Sequence, residues 1–232
     1  MPCRVAVVGA AGFFGRALCQ VLADKGETVT PVTRESFAAD RAGAYDVVIN
    51  AAMPAKRFWA TQHPDLDFIE TVQKTSNLLT EWTFQRFIQI SSVSARCERH
   101  TVYGRHKAAA EVLCERPDCL TIRLTALYGP GMTKGALIDI RNGGPVYVDG
   151  ASRYAFTHVS FAAGYVAAAV HRPDLTGVVE VGAKNTIALD DIARHMKKTV
   201  EFSGPVELQE VLGANAGSPD AREVLSFVSI VS

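Results

Sequence analysis

The sequence predicts an α/β fold with a doubly wound parallel sheet. Short apolar, β-branched segments alternate with segments of helical period, and the first of them leads directly into a glycine-rich turn. These segments are apolar along their whole length, which is typical of strands that helices cover on both faces of a sheet. A chain of 232 residues is long enough for one sizeable core with a smaller elaboration.

The elements follow one another in a regular order. The letters RVAVV, ETVTPVTR and YDVVINAA predict the first three strands, and RFIQISS and CLTIRLTALYG predict two more. Helices are expected over GRALCQVLADKG, LDFIETVQKTSNLLTEW and VYGRHKAAAEVLCER. In the first helix Ala17, Leu18, Val21 and Leu22 share one face, which is the face expected to pack on the sheet.

The region between the second and third strands is unusually short. Between Arg34 and Asp46 there is no room for a full helix followed by a strand, so the usual outermost strand is expected to be missing or vestigial. Pro31 supports this, because a proline cannot donate a ladder hydrogen bond and belongs on an edge strand. The strand that carries Pro31 should therefore form the edge of the sheet.

Composition argues against several classes of protein. The 24 basic and 24 acidic residues balance, which gives no indication of a nucleic-acid or membrane partner. No segment could span a bilayer, and the N-terminus lacks the layout of a signal peptide, so a cytoplasmic protein is expected. The five cysteines are widely spaced without a C-x-x-C, and the six histidines lack ligand spacing, which predicts reduced thiols and no metal site.

The glycine-rich turn has the spacing of a phosphate-binding loop. Gly9 permits a tight turn after the first strand, Gly12 lets a pyrophosphate approach the backbone, and Gly15 allows the helix to pack closely on the strand. The N-terminus of the helix that follows then offers free N–H groups and the positive end of its dipole. In this strand–turn–helix context the motif predicts a bound dinucleotide.

The end of the second strand bears on which dinucleotide is bound. The position where an NAD site carries a carboxylate for the ribose falls on Thr33, and Arg34 follows it. A guanidinium suits the 2′-phosphate of NADP(H), which is favoured on this ground. Two alternatives stay open: an error of one residue would place Glu35 there and favour NAD(H), and Arg34 could equally be a solvated surface charge.

A second constellation carries the chemistry. Tyr103 and Lys107 are four residues apart near the start of a helix, so they share a face, and Ser92 ends the preceding strand. An ammonium near the phenol is expected to lower the pKa of Tyr103, which could then exchange a proton with a substrate oxygen. His106 lies off this face and is interpreted as structural. Arg57, on the loop after the third strand, is interpreted as either a ligand contact or ordinary packing.

Together these motifs resemble the extended, nucleotide-sugar-modifying branch of the short-chain dehydrogenase/reductase superfamily, the NAD-dependent epimerase/dehydratase type. The matching segments cover most of residues 4–195, and in order they read GAAGFFG, DVVINAA, SNLL, RFIQISSVS, YGRHKAAAE, IRLTALYGPGM, FTHV and GVVEVGAKNTIALDDIA.

The resemblance implies a Rossmann core with a Ser-Tyr-Lys catalytic set, here Ser92, Tyr103 and Lys107. It implies that Lys107 also holds the nicotinamide ribose, and that the backbone at Ala51–Ala52 and at Thr125–Tyr128 lines the cofactor. The core is expected over residues 1–129, with a contribution from about 154–182, and a small substrate-binding lobe over 130–153 and 183–232. The candidate cofactor-binding residues are Gly9, Gly12, Phe13, Phe14, Gly15, Arg34, Asn50, Ala51, Ala52, Lys107 and Tyr128.

Departures from the family pattern narrow the reaction. Related dehydratases carry an Asp-Glu pair after the serine, where Val93 and Ser94 stand here, so 4-keto reduction or 4-epimerisation of a nucleoside-diphosphate sugar is expected. The reductases are slightly preferred. Arg153 lies near the position of the family's diphosphate-binding arginine and is the candidate substrate contact. The alternative is a non-catalytic NADP(H) sensor, and a homodimer through helices near Asp65 and Tyr103 is possible.

Overall fold

The computed structural model describes residues 2–214 and 217–230, with the backbone alone at position 230. The strands are β1 Arg4–Val8, β2 Thr28–Val32, β3 Ala44–Asn50, β4 Thr83–Ser92, β5 Cys119–Leu124, β6 Leu127–Tyr128, β7 Arg153–Tyr154, β8 Thr157–His158, β9 Gly177–Val181, β10 Ile187–Ala188 and β11 Leu208–Gln209. The helices are α1 Phe13–Asp24, α2 Phe37–Asp40, α3 Arg57–Gln62, α4 Pro64–Phe68, α5 Lys74–Glu81, α6 Ser94–Cys97, α7 Val102–Leu113, α8 Ala136–Asn142, α9 Val159–Ala169, α10 Leu189–His195 and α11 Glu223–Ile230. A π-helical turn, Ile69–Gln73, joins α4 to α5.

The central sheet has six strands in the order β2-β1-β3-β4-β5-β9. Its first four strands pair in parallel, as the predicted doubly wound sheet requires. β2 lies at the edge, where Pro31 pairs in register with Val7. The four-residue helix α2 is the element that stands where a full helix and a further strand would be. The prediction of a missing third strand and an edge strand carrying Pro31 is confirmed.

The sheet is buried because its strands are apolar throughout. The side chains of Val5 to Val8 are almost completely buried, and Leu18 and Leu22 of α1 are fully buried against them. Near the start of β3 and β4, Trp82 packs against the rings of Phe37 and Tyr45, with centroid distances of 5.3 and 5.8 Å.

One predicted helix is interrupted. The segment LDFIETVQKTSNLLTEW was expected to form a single helix, but the structure places the π-helical turn in its middle. Asp67 before this turn, Thr71 within it and Thr75 after it are all buried, at 1% exposure or less.

The chain forms two compact units. The first comprises Met1–Arg123 and Ala163–Val179, and the second comprises Leu124–Ala162 and Glu180–Ser232. Residues 124–129 and 154–162, which were expected in the Rossmann core, lie in the second unit. The second unit has its own core, which includes Ile140, Leu189 and Ile192, and a small sheet in the order β10-β7-β11. Among the described residues, none of the helices is long and apolar enough to cross a bilayer.

Candidate active site

The glycine loop is held tightly between β1, β2 and α1. Gly9 has a φ of +90°, and the N–H groups of Gly9 and Ala10 donate to the carbonyl of Val32 at 3.0 and 3.2 Å. A Cβ at Gly15 would lie 2.2 Å from the carbonyl oxygen of Gly9, so the start of α1 rests directly on the loop. Gly15 therefore contributes by packing, which is the role that its position predicted.

The outer side of this loop is open. Gly12 is exposed and caps α1 with an extended backbone and no side-chain hydrogen bond, while Phe13 and Phe14 are half-buried. The first N–H groups of an α-helix have no intrahelical acceptor, and no acidic residue lies in the first turn of α1. The loop and helix end thus fit an anionic group such as a pyrophosphate.

Asn50 supports the site from inside the sheet. Its side chain is fully buried, and its Nδ2 donates to Thr75 Oγ1 at 3.2 Å and to Gln89 Oε1 at 3.1 Å. Its Oδ1 accepts the N–H of Ala52 at 3.2 Å. All its polar atoms are therefore engaged within the protein. The structure gives Asn50 the role of shaping the Ala51–Ala52 turn, whose backbone is half-exposed beside Gly9.

The residues after β2 lie beside the same loop. Arg34 is exposed, and its side chain makes no hydrogen bond or salt bridge within the described part of the chain. The N–H of Thr33 donates to Ser36 Oγ at 3.0 Å, and a hydrogen bond with Thr33 is the main cause that lowers the pKa of Glu35. The Glu35 carboxylate thus interacts with Thr33, and the Arg34 guanidinium is exposed to solvent.

Ser92, Tyr103 and Lys107 come together in the first unit. Thr101 caps α7 by accepting the N–H of Gly104 at 3.0 Å, which starts the helix so that Tyr103 and Lys107 face inward. Both side chains are buried, and the Lys107 Nζ lies 5.1 Å from the centroid of the Tyr103 ring. Ser92 ends β4, where its Oγ lies 3.2 Å from Ser94 Oγ, and it lies close enough to the Tyr103 phenol to act on the pKa of that group.

The expected lowering of the tyrosine pKa is wrong for the protein without ligand. Burial raises the pKa of Tyr103 to about 12, although the hydrogen bond with Ser92 and the charge of Arg57 act in the opposite direction. The ammonium does not compensate because it is desolvated too: burial lowers the pKa of Lys107 to about 7. At neutral pH the phenol is therefore protonated, and Lys107 releases its proton more readily than a solvated lysine.

Charged groups lie around the three residues, and two of them, Glu98 and Asp67, were not singled out from the sequence. Arg57 of α3 donates to Glu98 Oε1 at 2.9 Å, and the Glu98 side chain is only 5% exposed. Asp67 of α4 is fully buried, and its Oδ2 lies 2.7 Å from His106 Nδ1. The spacing of Asp67 and Thr71 on one helix face was the available signal, but it does not show by itself that a carboxylate is buried.

The second unit contains a polar cavity of about 320 Å³. Its lining includes three cationic side chains, those of Arg153, Lys184 and Arg222, and one carboxylate, that of Glu210. Arg153 is held there because its Nε and Nη2 donate to Thr186 Oγ1 at 3.1 Å and to the Thr186 carbonyl at 3.0 Å. The surplus of positive charge suits an anionic ligand.

Tyr128 lies in the core of the second unit. Its side chain is 3% exposed, and its ring centroid lies 5.2 Å from that of His158 and 5.3 Å from that of Phe227. Burial raises the pKa of its phenol to about 12. Its contact with a cofactor stays a prediction.

Three residues of metal-binding type converge at a separate place in the first unit. Cys3 Sγ lies 3.9 Å from His171 Nδ1, and His171 Nε2 lies 2.6 Å from Glu27 Oε1. The other oxygen of Glu27 accepts the N–H of Cys3 at 2.7 Å. These hydrogen bonds account for the arrangement without an ion.

Comparison with known proteins identifies the family. The model of the NAD dependent epimerase/dehydratase family matches residues 5–182. The chain belongs to this family. A comparison with curated protein sequences finds no match.

Solved structures of several enzymes share the fold. A dTDP-4-dehydrorhamnose reductase from Bacillus anthracis, solved in complex with NADP, is 16% identical with a TM-score of 0.80, and 100% of each chain is covered. A UDP-galactose 4-epimerase is 22% identical with a TM-score of 0.75, covering 90% of this chain and 89% of its own. An NAD-dependent NDP-hexosamine 5,6-dehydratase is 18% identical with a TM-score of 0.80, covering 97% and 96%. The protein is thus similar in fold to enzymes that catalyse three different reactions.

Proposed function

We propose that the protein is an NADP(H)-dependent oxidoreductase that acts on a nucleoside-diphosphate sugar, by reduction of a 4-keto group or by 4-epimerisation. The observation that carries the proposal is the convergence of the buried side chains of Tyr103 and Lys107 with half-buried Ser92 at the end of β4. The Lys107 ammonium makes no hydrogen bond to any residue that the structure describes, so it has donors to offer to a ligand.

In this proposal each residue of the set has one role. Tyr103 gives its phenolic proton to the substrate oxygen, or takes one from it, and Ser92 donates a hydrogen bond to the same oxygen. Lys107 binds the ribose hydroxyls of the cofactor. The nicotinamide supplies or accepts the hydride when it is bound. A phenol that is protonated at neutral pH is prepared to donate, which supports reduction over oxidation.

NADP(H) is the cofactor that the residues support best. Gly12 and the start of α1 accommodate the pyrophosphate, and Gly9 and Gly15 shape the loop beneath it. Arg34 is free to contact a 2′-phosphate, while Glu35, the alternative contact for an NAD(H) ribose, is engaged with Thr33. The reductase of similar fold was itself solved with NADP.

The cationic cavity of the second unit and the enzymes of similar fold support the proposed substrate class. A nucleoside-diphosphate sugar carries two linked phosphates, and the cavity that contains Arg153, Lys184 and Arg222 provides matching positive charge. A homodimer through the helices near Asp65 and Tyr103 is part of the proposal. The exposed apolar side chains of Leu66, Ile69 and Val112 on these helices support it.

The test removes the phenolic oxygen of Tyr103. Tyr103→Phe should abolish hydride transfer to 4-keto sugar nucleotides, because no other group donates the proton, yet should leave NADPH affinity within about twofold. The measurement is a fluorescence titration with NADPH and with NADH, followed by turnover on uridine, thymidine and guanosine diphosphate sugars. Tyr147→Phe, an exposed tyrosine of the second unit, is the control.

The possible results separate the alternatives. Turnover that survives in Tyr103→Phe would refute the catalytic assignment. NADPH binding by the wild-type protein without turnover of any sugar nucleotide would favour a non-catalytic NADP(H) sensor. Tighter binding of NADH than of NADPH would refute the role of Arg34.

A further inference from the structure

The buried carboxylate of Asp67 is not explained by folding alone. It is 1% exposed on α4, and its Oδ1 has no hydrogen-bond partner in residues 2–214 or 217–230. Burying a carboxylate costs several kcal/mol unless its oxygens are satisfied. One oxygen is satisfied, by His106 Nδ1 at 2.7 Å. The other has hydrogen-bonding capacity to spare.

This free oxygen belongs to the surroundings of the candidate catalytic residues. The charge of Asp67 acts on Lys107 and Tyr103, and on Lys107 it is the largest charge effect, ahead of Glu111. Glu111 is already occupied, since it accepts from Ser91 at 2.6 Å and from Arg123 at 2.6 Å. Asp67 is thus the neighbouring carboxylate that retains capacity toward Lys107.

Thr71 adds a second unsatisfied group on the same helix face. It lies four residues after Asp67 in the π-helical turn and is fully buried, and its Oγ1 has no hydrogen-bond partner among the described residues. Asp67 Oδ1 and Thr71 Oγ1 are thus two buried, unsatisfied oxygens four residues apart, and a buried water is the usual partner of such groups. Because the charge of Asp67 acts on Lys107, a water held by these two oxygens would connect Asp67 with the ammonium.

His106 connects Asp67 to the exterior. Its side chain is 19% exposed, and the ring of Phe68 packs edge-on against it at 5.6 Å. Imidazole is the side chain that takes up and releases protons most readily near neutral pH. Its bond to Asp67 links a partly exposed imidazole to the buried carboxylate.

We propose that His106 and Asp67 form a proton relay from solvent to Lys107 and Tyr103, and that the protein catalyses a reduction. The inference rests on the proposed function. In a ketone reduction a hydride forms the C–H bond at the carbonyl carbon, the Tyr103 proton moves to the carbonyl oxygen, and a phenolate remains. The phenolate regains its proton from Lys107, Lys107 from Asp67, Asp67 from His106 and His106 from water. One solvent proton is consumed per carbonyl reduced.

The relay distinguishes the two reactions left open above. A 4-epimerase takes a proton from a hydroxyl and returns it to the same oxygen, so it needs no net proton from solvent. A reductase must be reprotonated in every cycle. The charged groups that act on Tyr103 and Lys107 are Arg57 of α3, Asp67 of α4, Glu98 after α6 and Glu111 of α7, and His106 of α7 contacts Asp67.

The test compares Asp67→Asn and His106→Gln with the wild-type protein in the steady-state reduction of a 4-keto sugar nucleotide from pH 5.5 to 9. Both variants should lower kcat at least about tenfold, with the largest loss at high pH where protons are scarce, and should leave KM and NADPH affinity unchanged. A purely structural role would change KM or affinity as well. His100→Gln, an exposed histidine of the same unit, is the matched control.

A second measurement does not depend on turnover. Nuclear magnetic resonance of reductively methylated lysines should show that Asp67→Asn lowers the pKa of Lys107 further, because the Asp67 charge now raises it. Variants that bind NADPH normally and keep the wild-type kcat and pH profile would overturn the relay. A wild-type protein that reduces no sugar nucleotide would instead overturn the proposed function, and the relay with it. Wild-type epimerisation without net reduction would overturn the relay while leaving the broader function.

Discussion

At the scale of single residues, Lys107 shows how burial competes with charge. The carboxylates of Asp67 and Glu111 raise the pKa of Lys107, yet burial lowers it to about 7 from a model-compound value of 10.5. The unfolded chain therefore holds a proton on this lysine between pH 7 and 10.5 that the folded chain releases. By linkage, the fold becomes more stable as pH rises through that window. The full destabilisation by the buried Lys107 ammonium is present below about pH 7.

Replacing this lysine should therefore stabilise the protein without ligand. Lys107→Met removes the buried ammonium, so we expect a higher free energy of unfolding at pH 7 and a flatter dependence on pH between 7 and 9. The difference in slope from wild type should approach, but not exceed, about 1.4 kcal/mol per pH unit. Urea unfolding at pH 7, 8 and 9 measures it, with Lys25→Met, at an exposed position, as control. A parallel pair of pH curves would contradict the lowered pKa of Lys107.

Residue chemistry was predictable where it depends on spacing. Tyr103 and Lys107 share a face because they are four residues apart, and Ser92 joins them because parallel strands end at one edge of the sheet. Spacing does not report desolvation, which is why the direction of the Tyr103 pKa was wrongly predicted. For the same reason Asp67 was not singled out, since its burial depends on the packing of α4 against α7.

At the scale of elements, two glycines of the glycine loop have different roles, one in packing and one in the proposed ligand binding. Gly15 lies against the backbone of Gly9, whereas Gly12 is exposed, has an ordinary φ of −73°, and would place a Cβ 3.2 Å from the Gly9 oxygen. The same motif thus contains one glycine required by the fold and one available to a cofactor.

Alanine at these positions should give different losses. Gly15→Ala should destabilise the fold by about 1–3 kcal/mol or more, because the added Cβ meets backbone at 2.2 Å, and should abolish NADPH binding. Gly12→Ala should change stability by less than about 1 kcal/mol but weaken NADPH binding at least about tenfold. Thermal unfolding and NADPH titration measure both effects. Gly164→Ala in α9, where a Cβ meets nothing within 4 Å, should be slightly stabilising. Normal NADPH affinity in Gly12→Ala would argue that the loop is a turn without a ligand.

Elements were predictable where the pattern is local. Pro31 marked the edge strand because proline lacks a donor, and the short segment before Asp46 left no room for another strand. The π-helical turn at Ile69–Gln73 was not predicted, because one wider turn leaves the apolar pattern of the helix almost unchanged. Thr71 lies within this turn, and its side chain is buried, as is that of Asp67.

At the scale of the whole molecule, the two units have different predictability. The first unit is built from repeated strand–helix segments whose order the sequence displays. The second unit combines short strands from distant segments, such as β7 with β10 and β11. Local sequence patterns do not predict those pairings. Arg153 was assigned to substrate from resemblance, but Lys184 and Arg222 were not, because their approach to it depends on these distant pairings.

The division into units leads to a prediction about ligands. The residues proposed for the cofactor lie chiefly in the first unit, and the cationic cavity lies in the second. Lys184→Gln and Arg222→Gln should each raise KM for a sugar nucleotide about tenfold, because each removes one charged contact to a phosphate, and should leave the Kd for NADPH unchanged. Initial rates and fluorescence titration measure the two constants. Arg194→Gln, an exposed arginine of the same unit that pairs with Asp191, is the control. An equal loss of NADPH affinity in both cavity variants would show that the cavity serves the cofactor, and the substrate assignment of Arg153 would fall with it.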